Sequence, residues 1–178
     1  MVLLRGWLIM RNPDITVLPE LILPEGMQLH THIPGEEKNW EEVIESAFGS
    51  RFDFDFLIRM GGYRPEYVQY IRHGDRDIAT AAAVENPAYP HEGWFRMVGV
   101  RSEARGLGAG RLVCLAALHS LRRRGYASAV LSTDDWRIPA ICLYLSLGFR
   151  PLLCHESHPE RWENVRKEME KAGRKADF

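Results

Sequence analysis

A glycine-rich turn is the part of this sequence whose residue types and spacing could bind a charged ligand. It lies between an apolar run, residues 94–100, and a helical pattern that begins at Leu112. Glycine lets a backbone approach a ligand closely, and the first N–H groups of a helix lack partners within the helix, so they attract an anion. Tight turns without ligands use the same residues, but this position before a helix predicts a phosphate-binding cradle. The cradle comprises Arg105, Gly106, Leu107, Gly108, Ala109 and Gly110.

Two common phosphate motifs fit this turn poorly. The Walker motif ends in Gly-Lys-Ser/Thr, whereas here Gly110 is followed by Arg111 and Leu112. In the dinucleotide fingerprint, G-x-G-x-x-G, two residues separate the last two glycines, whereas here a single residue does. We therefore expect neither a nucleotide bound by a Walker motif nor a dinucleotide bound by this fingerprint.

A second motif lies downstream of the turn. Residues 140–149 read A-x-x-L-Y-x-x-L-G-F and follow Pro139, which suits the first turn of a helix. Together with Arg-x-x-Gly-x-Gly after a strand, this segment resembles the GCN5-related N-acetyltransferases, the GNAT superfamily. The resemblance covers about residues 27–155 and is strongest over residues 94–149. It implies an α/β fold with a mixed, mostly antiparallel, splayed sheet flanked by helices.

The resemblance also implies an acyl-CoA-dependent N-acyltransferase, in which a primary amine attacks acetyl-CoA directly. Val98, Gly99 and Val100 would lie beside the pantetheine arm and supply backbone donors to the thioester carbonyl. A glycine inside a strand also indicates a bulge or a close ligand approach. Tyr144 matches the tyrosine that serves the family as general acid near the CoA sulfur, and a phenol with a pKa near ~10 can protonate a thiolate. The structural alternative is an aromatic side chain that fills the space between helix and sheet.

The general base and one departure from the family pattern leave alternatives open. Arg137 stands where the family often has asparagine, and could contact CoA phosphates, a carboxylate of the acceptor, or water. The base could be ordered water or a side chain near a strand end. The candidate side chains are Glu85, His91, Glu92, Asp134 and Asp135.

The rest of the pattern predicts one domain with an N-terminal arm. Residues 1–26 contain scattered prolines and predict an extended arm, and residues 27–178 predict the catalytic domain, including a C-terminal helix from Pro159 on the domain surface or on a second subunit. The segment 51–60 fits a strand or a helix, and the family has a short helix here that roofs the acceptor pocket. Its phenylalanines then either select the substrate or belong to the core. Further strands are predicted at 27–33, 66–72, 77–84, 94–101, 127–133 and 150–155, and further helices at 36–48, 112–124 and 139–147.

Composition limits the function classes. The formal net charge is −1, with 46% hydrophobic and 26% charged residues, which gives no electrostatic case for nucleic acid or a membrane as partner. The apolar start, residues 1–10, is a poor secretion signal, so a cytoplasmic location is expected. The three cysteines predict reduced, buried thiols, and His30-x-His32 and His155-x-x-His158 each lack a third ligand, so we expect no metal.

Two rival interpretations accompany the acetyltransferase hypothesis. A non-catalytic acyl-CoA-binding or sensing domain of the same fold would keep the glycine turn without turnover. A nucleotide-binding α/β protein of another class would bind free ATP or NAD in place of CoA. The acceptor is expected to be an amine of a small molecule or peptide, and the arm and C-terminal helix could serve a homodimer.

Overall fold

The structure is a computed structural model that describes residues 6–59, 62–87, 89–176 and 178. The start of the predicted arm, the end of the ambiguous 51–60 segment with the first glycine after it, and one residue of the 85–93 loop lie outside the described residues. Seven strands occur in the described part of the chain: β1 (Leu8–Asn12), β2 (Met27–Thr31), β3 (Val68–His73), β4 (Arg76–Val84), β5 (Gly93–Val100), β6 (Ala129–Thr133) and β7 (Arg150–Leu152). The same residues form five α-helices: α1 (Glu37–Phe48), α2 (Phe54–Arg59), α3 (Ala109–Arg123), α4 (Ile138–Ser146) and α5 (His158–Lys171).

The chain divides into two compact units, which are described separately. The larger unit, residues 14–129, contains β2 to β5 in sequential order, each paired antiparallel with the next. The hairpin between β3 and β4 pairs His73 with Arg76. These strands confirm the predicted strands to within about three residues at each end.

Helix α1 shows how the sequence pattern produces packing in the larger unit. Trp40, Val43 and Ile44 recur at helical spacing and are fully buried. Gly49 ends the helix with φ 71°, in the left-handed conformation that glycine adopts without strain, and its N–H donates to the carbonyl of Glu45 at 2.8 Å. The predicted helix and its stop are confirmed.

The ambiguous segment forms the short helix α2. Phe54 and Leu57, three residues apart, are buried, while Phe52 and Phe56 are exposed. The ring of Phe54 stacks on His32 at 4.3 Å. The segment therefore forms the helix that one of its two patterns predicted, and not the strand. Phe54 belongs to the core, whereas Phe52 and Phe56 do not.

The smaller unit comprises the described residues before 14 and those from 130 onward. Within it, β1 pairs antiparallel with β7, and Ile9 lies opposite Leu152. The prediction that residues 1–26 form only an extended arm is therefore incomplete, because Leu8, Ile9 and Met10 are fully buried in a strand. Both faces of this strand are covered, so it lacks the alternating polarity that would reveal it in the sequence.

Helix α5 lies against the rest of the smaller unit. Its apolar stripe, Trp162, Val165 and Met169, is almost fully buried within this chain, so no second subunit is needed to cover it. The expectation of buried thiols holds for Cys114 alone, because Cys142 is half-buried and Cys154 is exposed; all three are free thiols. Among the described residues, no helix is long and apolar enough to cross a membrane.

Candidate functional site

The glycine turn adopts a conformation that depends on glycine. Gly106 has φ 85° and Gly108 has φ 80°, both in the left-handed region that residues with a side chain rarely adopt. A Cβ added at either position would meet no atom within 4 Å, so open space faces the turn at both glycines. Backbone conformation, and not crowding by the protein, therefore explains these two glycines.

Helix α3 begins directly in this turn, with Gly108 as its N-cap residue. None of the described side chains caps the helix, and its first turn holds no acidic residue. The carbonyl of Gly108 accepts the first intrahelical bonds, from the N–H groups of Arg111 at 3.0 Å and Leu112 at 3.2 Å. The N–H groups of Gly108, Ala109 and Gly110 precede these bonds and have no acceptor within the helix. Three donors at the positive end of a helix dipole fit a phosphate or pyrophosphate group.

Arg101 anchors the segment that leads into the turn. Its guanidinium donates from Nε to the carbonyl of Asp77 at 2.7 Å and from Nη2 to the carboxylate of Glu42 at 2.7 Å. The next residue, Ser102, donates its N–H to Ser46 Oγ at 3.0 Å. These bonds tie the start of the turn to β4 and α1. Sequence reasoning missed Arg101, although a charged residue at the end of a buried strand was an available signal.

A bulge in β5 precedes the turn. Ala82 pairs with Arg96 and Thr80 pairs with Gly99, so two residues of β5, Met97 and Val98, lie opposite one residue of β4. Met97 has φ 53°, which is uncommon for a residue with a side chain. The bulge interrupts the ladder and frees backbone groups at this point of the strand, which is what the predicted contact with a thioester or pantetheine arm requires.

Helix α1 packs closely against Gly99. A Cβ added to Gly99 would lie 3.0 Å from Cδ1 of Ile44 and 3.2 Å from Cβ of Ala47, both on α1. A Cβ on Gly93 would instead lie 2.8 Å from Leu121 on α3. The extra bulge residue reverses the side-chain alternation between the two glycines, so α1 and α3 cover opposite faces of β5. The need for glycine at position 99 comes from the approach of α1, and its role beside a cofactor stays a prediction.

Tyr144 lies in the smaller unit on α4 and is 7% exposed. Its ring meets Phe149 edge-on, with centroids 6.3 Å apart, and its carbonyl accepts the N–H of Phe149 at 3.0 Å. Pro139 in the first turn and Gly148 with φ 87° just beyond the end delimit this helix as predicted. The role of Tyr144 as general acid stays a prediction, and its packing also fits the alternative of an aromatic filler.

The base candidates in the larger unit differ in their surroundings. The carboxylate of Glu85 accepts a hydrogen bond from Arg124 Nη2 at 2.9 Å. The carboxylate of Glu92 accepts one from Ser128 Oγ at 3.3 Å. His91 is exposed in the loop before β5. An arginine therefore already binds the carboxylate of Glu85.

The two aspartates after β6 are held by arginines. Arg161 donates to both carboxylate oxygens of Asp135, from Nε at 2.9 Å and from Nη2. These hydrogen bonds lower the pKa of Asp135, which makes it a weak base. Arg137 Nε lies 3.1 Å from the carboxylate of Asp134, and its guanidinium covers the ring of Trp136 at 4.7 Å. The carboxylate that Arg137 contacts is therefore its own neighbour.

The larger unit contains a polar cluster that the sequence reading did not identify. The carboxylate of Asp77 is bonded by Arg72, by Asn39 Nδ2 at 3.1 Å, and by His30 Nε2 at 2.7 Å. His30 thus has a carboxylate as its partner. Within the described residues, no group of three or more histidine, cysteine or acidic side chains is arranged to hold a metal ion.

Comparison with known families identifies the family of the chain. Residues 31–149 match the family described as "Acetyltransferase (GNAT) family", which is more than half of the chain. The chain belongs to the GNAT family. This membership confirms the resemblance inferred from the two motifs, and it disfavours a nucleotide-binding protein of another class.

Curated relatives of the GNAT chain are named mycothiol acetyltransferases. The protein from Pseudarthrobacter chlorophenolicus is 32% identical over 145 residues, which cover 74% of this chain and 45% of that protein. The protein from Thermobispora bispora is 33% identical over 162 residues, which cover 79% of this chain and 52% of that protein. The chain thus spans about half the length of the curated relatives that it matches.

Solved structures confirm the predicted fold class. A GCN5-related N-acetyltransferase from Sphaerobacter thermophilus superposes with a TM-score of 0.69 at 26% identity, covering 83% of this chain and 50% of that one. A second GNAT-family structure, from Novosphingobium aromaticivorans, has a TM-score of 0.63 at 20% identity and covers 82% of this chain and 59% of that one. The GNAT fold is a mixed, mostly antiparallel sheet flanked by helices.

Proposed function

We propose that this chain binds acetyl-CoA and transfers its acetyl group to a primary amine of a small-molecule acceptor. The observation that carries the proposal is the left-handed glycine turn that opens α3. It leaves three N–H groups without helix acceptors, and open space lies beside Gly106 and Gly108. Among the described residues no side chain caps the helix, and its first turn holds no acidic residue. Membership in the GNAT family supports acetyl-CoA as the source of the phosphate groups.

The reaction requires two proton transfers, the formation of a C–N bond and the cleavage of a C–S bond. The amine nitrogen attacks the thioester carbonyl carbon, the C–S bond breaks, and the nitrogen gives up a proton to a base. The departing thiolate takes a proton from the Tyr144 hydroxyl, which regains one from solvent. We assign the thioester carbonyl to backbone N–H groups at the β5 bulge, near Val98, because fixed dipoles stabilise the developing oxyanion there.

The choice of acceptor and base follows from neighbouring groups. The relatives named mycothiol acetyltransferases support a small molecule over a peptide as acceptor. Asp135 is disfavoured as base because Arg161 lowers its pKa. Glu85 and Asp134 are disfavoured because they pair with Arg124 and Arg137. Ordered water, Glu92 and His91 stay as candidates. The homodimer and the cytoplasmic location stay predictions from the sequence.

Calorimetric titration with acetyl-CoA tests the proposal most directly. Gly108→Glu places a carboxylate at the N-terminus of α3, so we expect it to abolish binding. Gly74→Glu is the matched control, because Gly74 also has positive φ, 61°, and open space around an added Cβ, but lies in the β3–β4 hairpin. Equal loss of binding in both variants, or no binding by the unaltered protein, would overturn the proposal.

An amine panel separates the enzyme from a non-catalytic acyl-CoA-binding domain of the same fold. Release of free CoA is measured with a thiol reagent that reports each turnover, and free ATP and NAD serve as competitors. Turnover on a small-molecule amine, insensitive to both nucleotides, supports the acetyltransferase. Tight binding without turnover on any amine would favour a sensing role.

A further inference from the structure

The smaller unit contains a basic pocket that the proposed reaction does not use. It lies against the last turns of α4 and the start of β7, and its volume is about 430 Å³. That size is within the range of small-molecule sites. The lining residues are Cys142, Leu145, Ser146, Arg150, Arg174 and Lys175.

The charged residues that line this pocket in the described part of the chain are all basic. They are Arg150, Arg174 and Lys175, and none of the acidic residues that the structure describes lines the pocket. In the described part of the chain, none of these three cations lies within 4.0 Å of a carboxylate, whereas on α5 Arg161 and Lys171 are both paired. Converging cations in a concave surface raise the local concentration of anions.

The strand pairing places a further basic residue beside Arg150. Arg150 on β7 lies directly opposite Arg11 on β1 in the antiparallel register. Side chains at directly opposite positions point to the same face, so this face of the strand pair carries two arginines.

Arg150 is held in place by the protein, and only its Nη1 donates a hydrogen bond among the residues that the structure describes. Its Nη1 donates to the carbonyls of Phe149 at 2.8 Å and Leu145 at 3.2 Å. These bonds fix the plane of the guanidinium and leave its other N–H groups for a ligand. A fixed guanidinium fork matches the oxygens of a phosphoryl group in two places at once.

The C-terminal tail is also held where its cations reach the pocket. Arg174 donates its N–H to the carbonyl of Met169 at 2.9 Å, just after the end of α5. Further along, Phe178 meets the ring of Trp162 edge-on at 5.4 Å, and its carbonyl accepts Arg166 Nη2 at 2.6 Å. The tail therefore folds back on α5, which limits the entropy lost when Arg174 and Lys175 bind an anion.

We propose that this pocket binds a phosphoryl dianion, free or carried by a small molecule. Arg150, Arg174 and Lys175 hold the phosphoryl oxygens. Ser146 donates its hydroxyl hydrogen to the carbonyl of Leu143 at 2.7 Å, so its position is fixed at the rim. Leu145 and Cys142 leave an apolar wall for the rest of a phosphate monoester. The site is separate from the glycine turn, and the inference does not depend on the acetyltransferase proposal.

Protection of Cys142 from alkylation tests this site. Iodoacetamide labelling is followed by peptide mass spectrometry, with inorganic phosphate or phenyl phosphate compared against sodium chloride of equal ionic strength. Cys154 is exposed and does not line the pocket, so it is the internal control. We expect phosphate to slow labelling of Cys142 several-fold and to leave Cys154 unchanged. Greater protection by phenyl phosphate assigns the site to monoesters, and equal or lesser protection assigns it to free phosphate.

Charge-matched variants make the result specific to the pocket. Arg174→Gln/Lys175→Gln should weaken the phosphate affinity by about tenfold or more, because two charge-assisted contacts are lost. Lys167→Gln/Lys171→Gln removes the same charge from α5 outside the pocket and should retain the protection. Gly108→Glu should also retain it, since phosphate at the glycine turn is then excluded. Absent protection, equal protection of both cysteines, or loss of protection in either of the last two variants would overturn the proposal.

Discussion

The carboxylate of Asp77 accepts two hydrogen bonds from the guanidinium of Arg72, one from Nε at 2.8 Å and one from Nη2 at 2.9 Å. The Asp77 side chain is 1% exposed, so the carboxylate of this bidentate pair is buried. His30 and Asn39 bond to the same carboxylate. One buried charge thus connects β2, β3, β4 and α1, and its loss should affect all four elements.

Asp77→Asn should lower the free energy of unfolding by about 2–3 kcal/mol. The amide cannot accept from all of these donors, and Arg72 keeps a partly buried charge with a weaker partner. Urea unfolding gives the value. Asp75→Asn, in the exposed turn between β3 and β4, is the control and should change it by less than about 0.5 kcal/mol. Equal effects of the two substitutions would contradict the assigned role of Asp77.

The stability supplied by Asp77 should depend on pH in the acid range. Burial opposes ionisation of this carboxyl, but hydrogen bonds from Arg72 and His30 outweigh burial, and its pKa is lowered from 3.8. Because the unfolded chain binds the proton more readily, the contribution is complete above the unfolded value and is lost as pH falls through the folded one. Urea unfolding should be measured for the unaltered protein and for Asp77→Asn from about pH 7 to about pH 3. The difference between their free energies of unfolding should become smaller only below about pH 4. A gap that narrows near neutral pH would point to another group.

The approach of α1 to β5 predicts that Gly99 and Ala47 are coupled. Gly99→Ala places a Cβ 3.2 Å from Cβ of Ala47, which cannot move without its helix, and should cost about 1–2 kcal/mol. The same substitution in an Ala47→Gly background should cost about 1 kcal/mol less, since that Cβ is absent. Thermal unfolding of the four proteins of this cycle gives the coupling. Equal costs in both backgrounds would contradict the coupling of Gly99 to Ala47.

Structural features that depend only on residues close together in the sequence could be predicted from local patterns. The turn at Gly108 and the ends of α1 and α4 follow from glycine, proline and helical spacing, so they could be read directly from the sequence. The bulge at Met97 could not, because a positive φ at a residue with a side chain is imposed by the neighbouring strand. The packing of α1 against Gly99 could not be predicted either, since a glycine in a strand indicates a close approach but does not identify the approaching group.

Strand β1 was missed for a different reason. Five residues with both faces buried show neither helical nor alternating periodicity, and only their partner β7, which is far away in the chain, makes them a strand. The basic pocket could not be predicted from the sequence either. Its arginines and lysine come from β7 and from the tail after α5, and nothing in their spacing indicates that they converge.

Asn12 at the end of β1 should be required for the smaller unit. Its Nδ2 donates to the carbonyl of Leu147 at 2.9 Å, at the C-terminal end of α4. Asn12→Ala leaves that carbonyl without this donor and should cost about 1–3 kcal/mol in chemical unfolding. Gln28→Ala on β2 removes an exposed side-chain amide and should cost less than about 0.5 kcal/mol. Equal values would mean that β1 contributes through its apolar residues alone.

Tyr144→Phe separates the two interpretations of this tyrosine. The phenylalanine keeps the ring and its packing on Phe149 but has no proton to give, so an acid role predicts a loss of about a hundredfold in kcat with an unchanged KM for acetyl-CoA. Tyr126→Phe, elsewhere in the chain, is the matched control and should leave kcat unaltered. If Tyr144 only fills space, its phenylalanine variant keeps its kcat, because the volume is nearly the same. Substrates with a more acidic leaving thiol sharpen the test, since they need less protonation and should restore activity to the variant only if the acid role is correct.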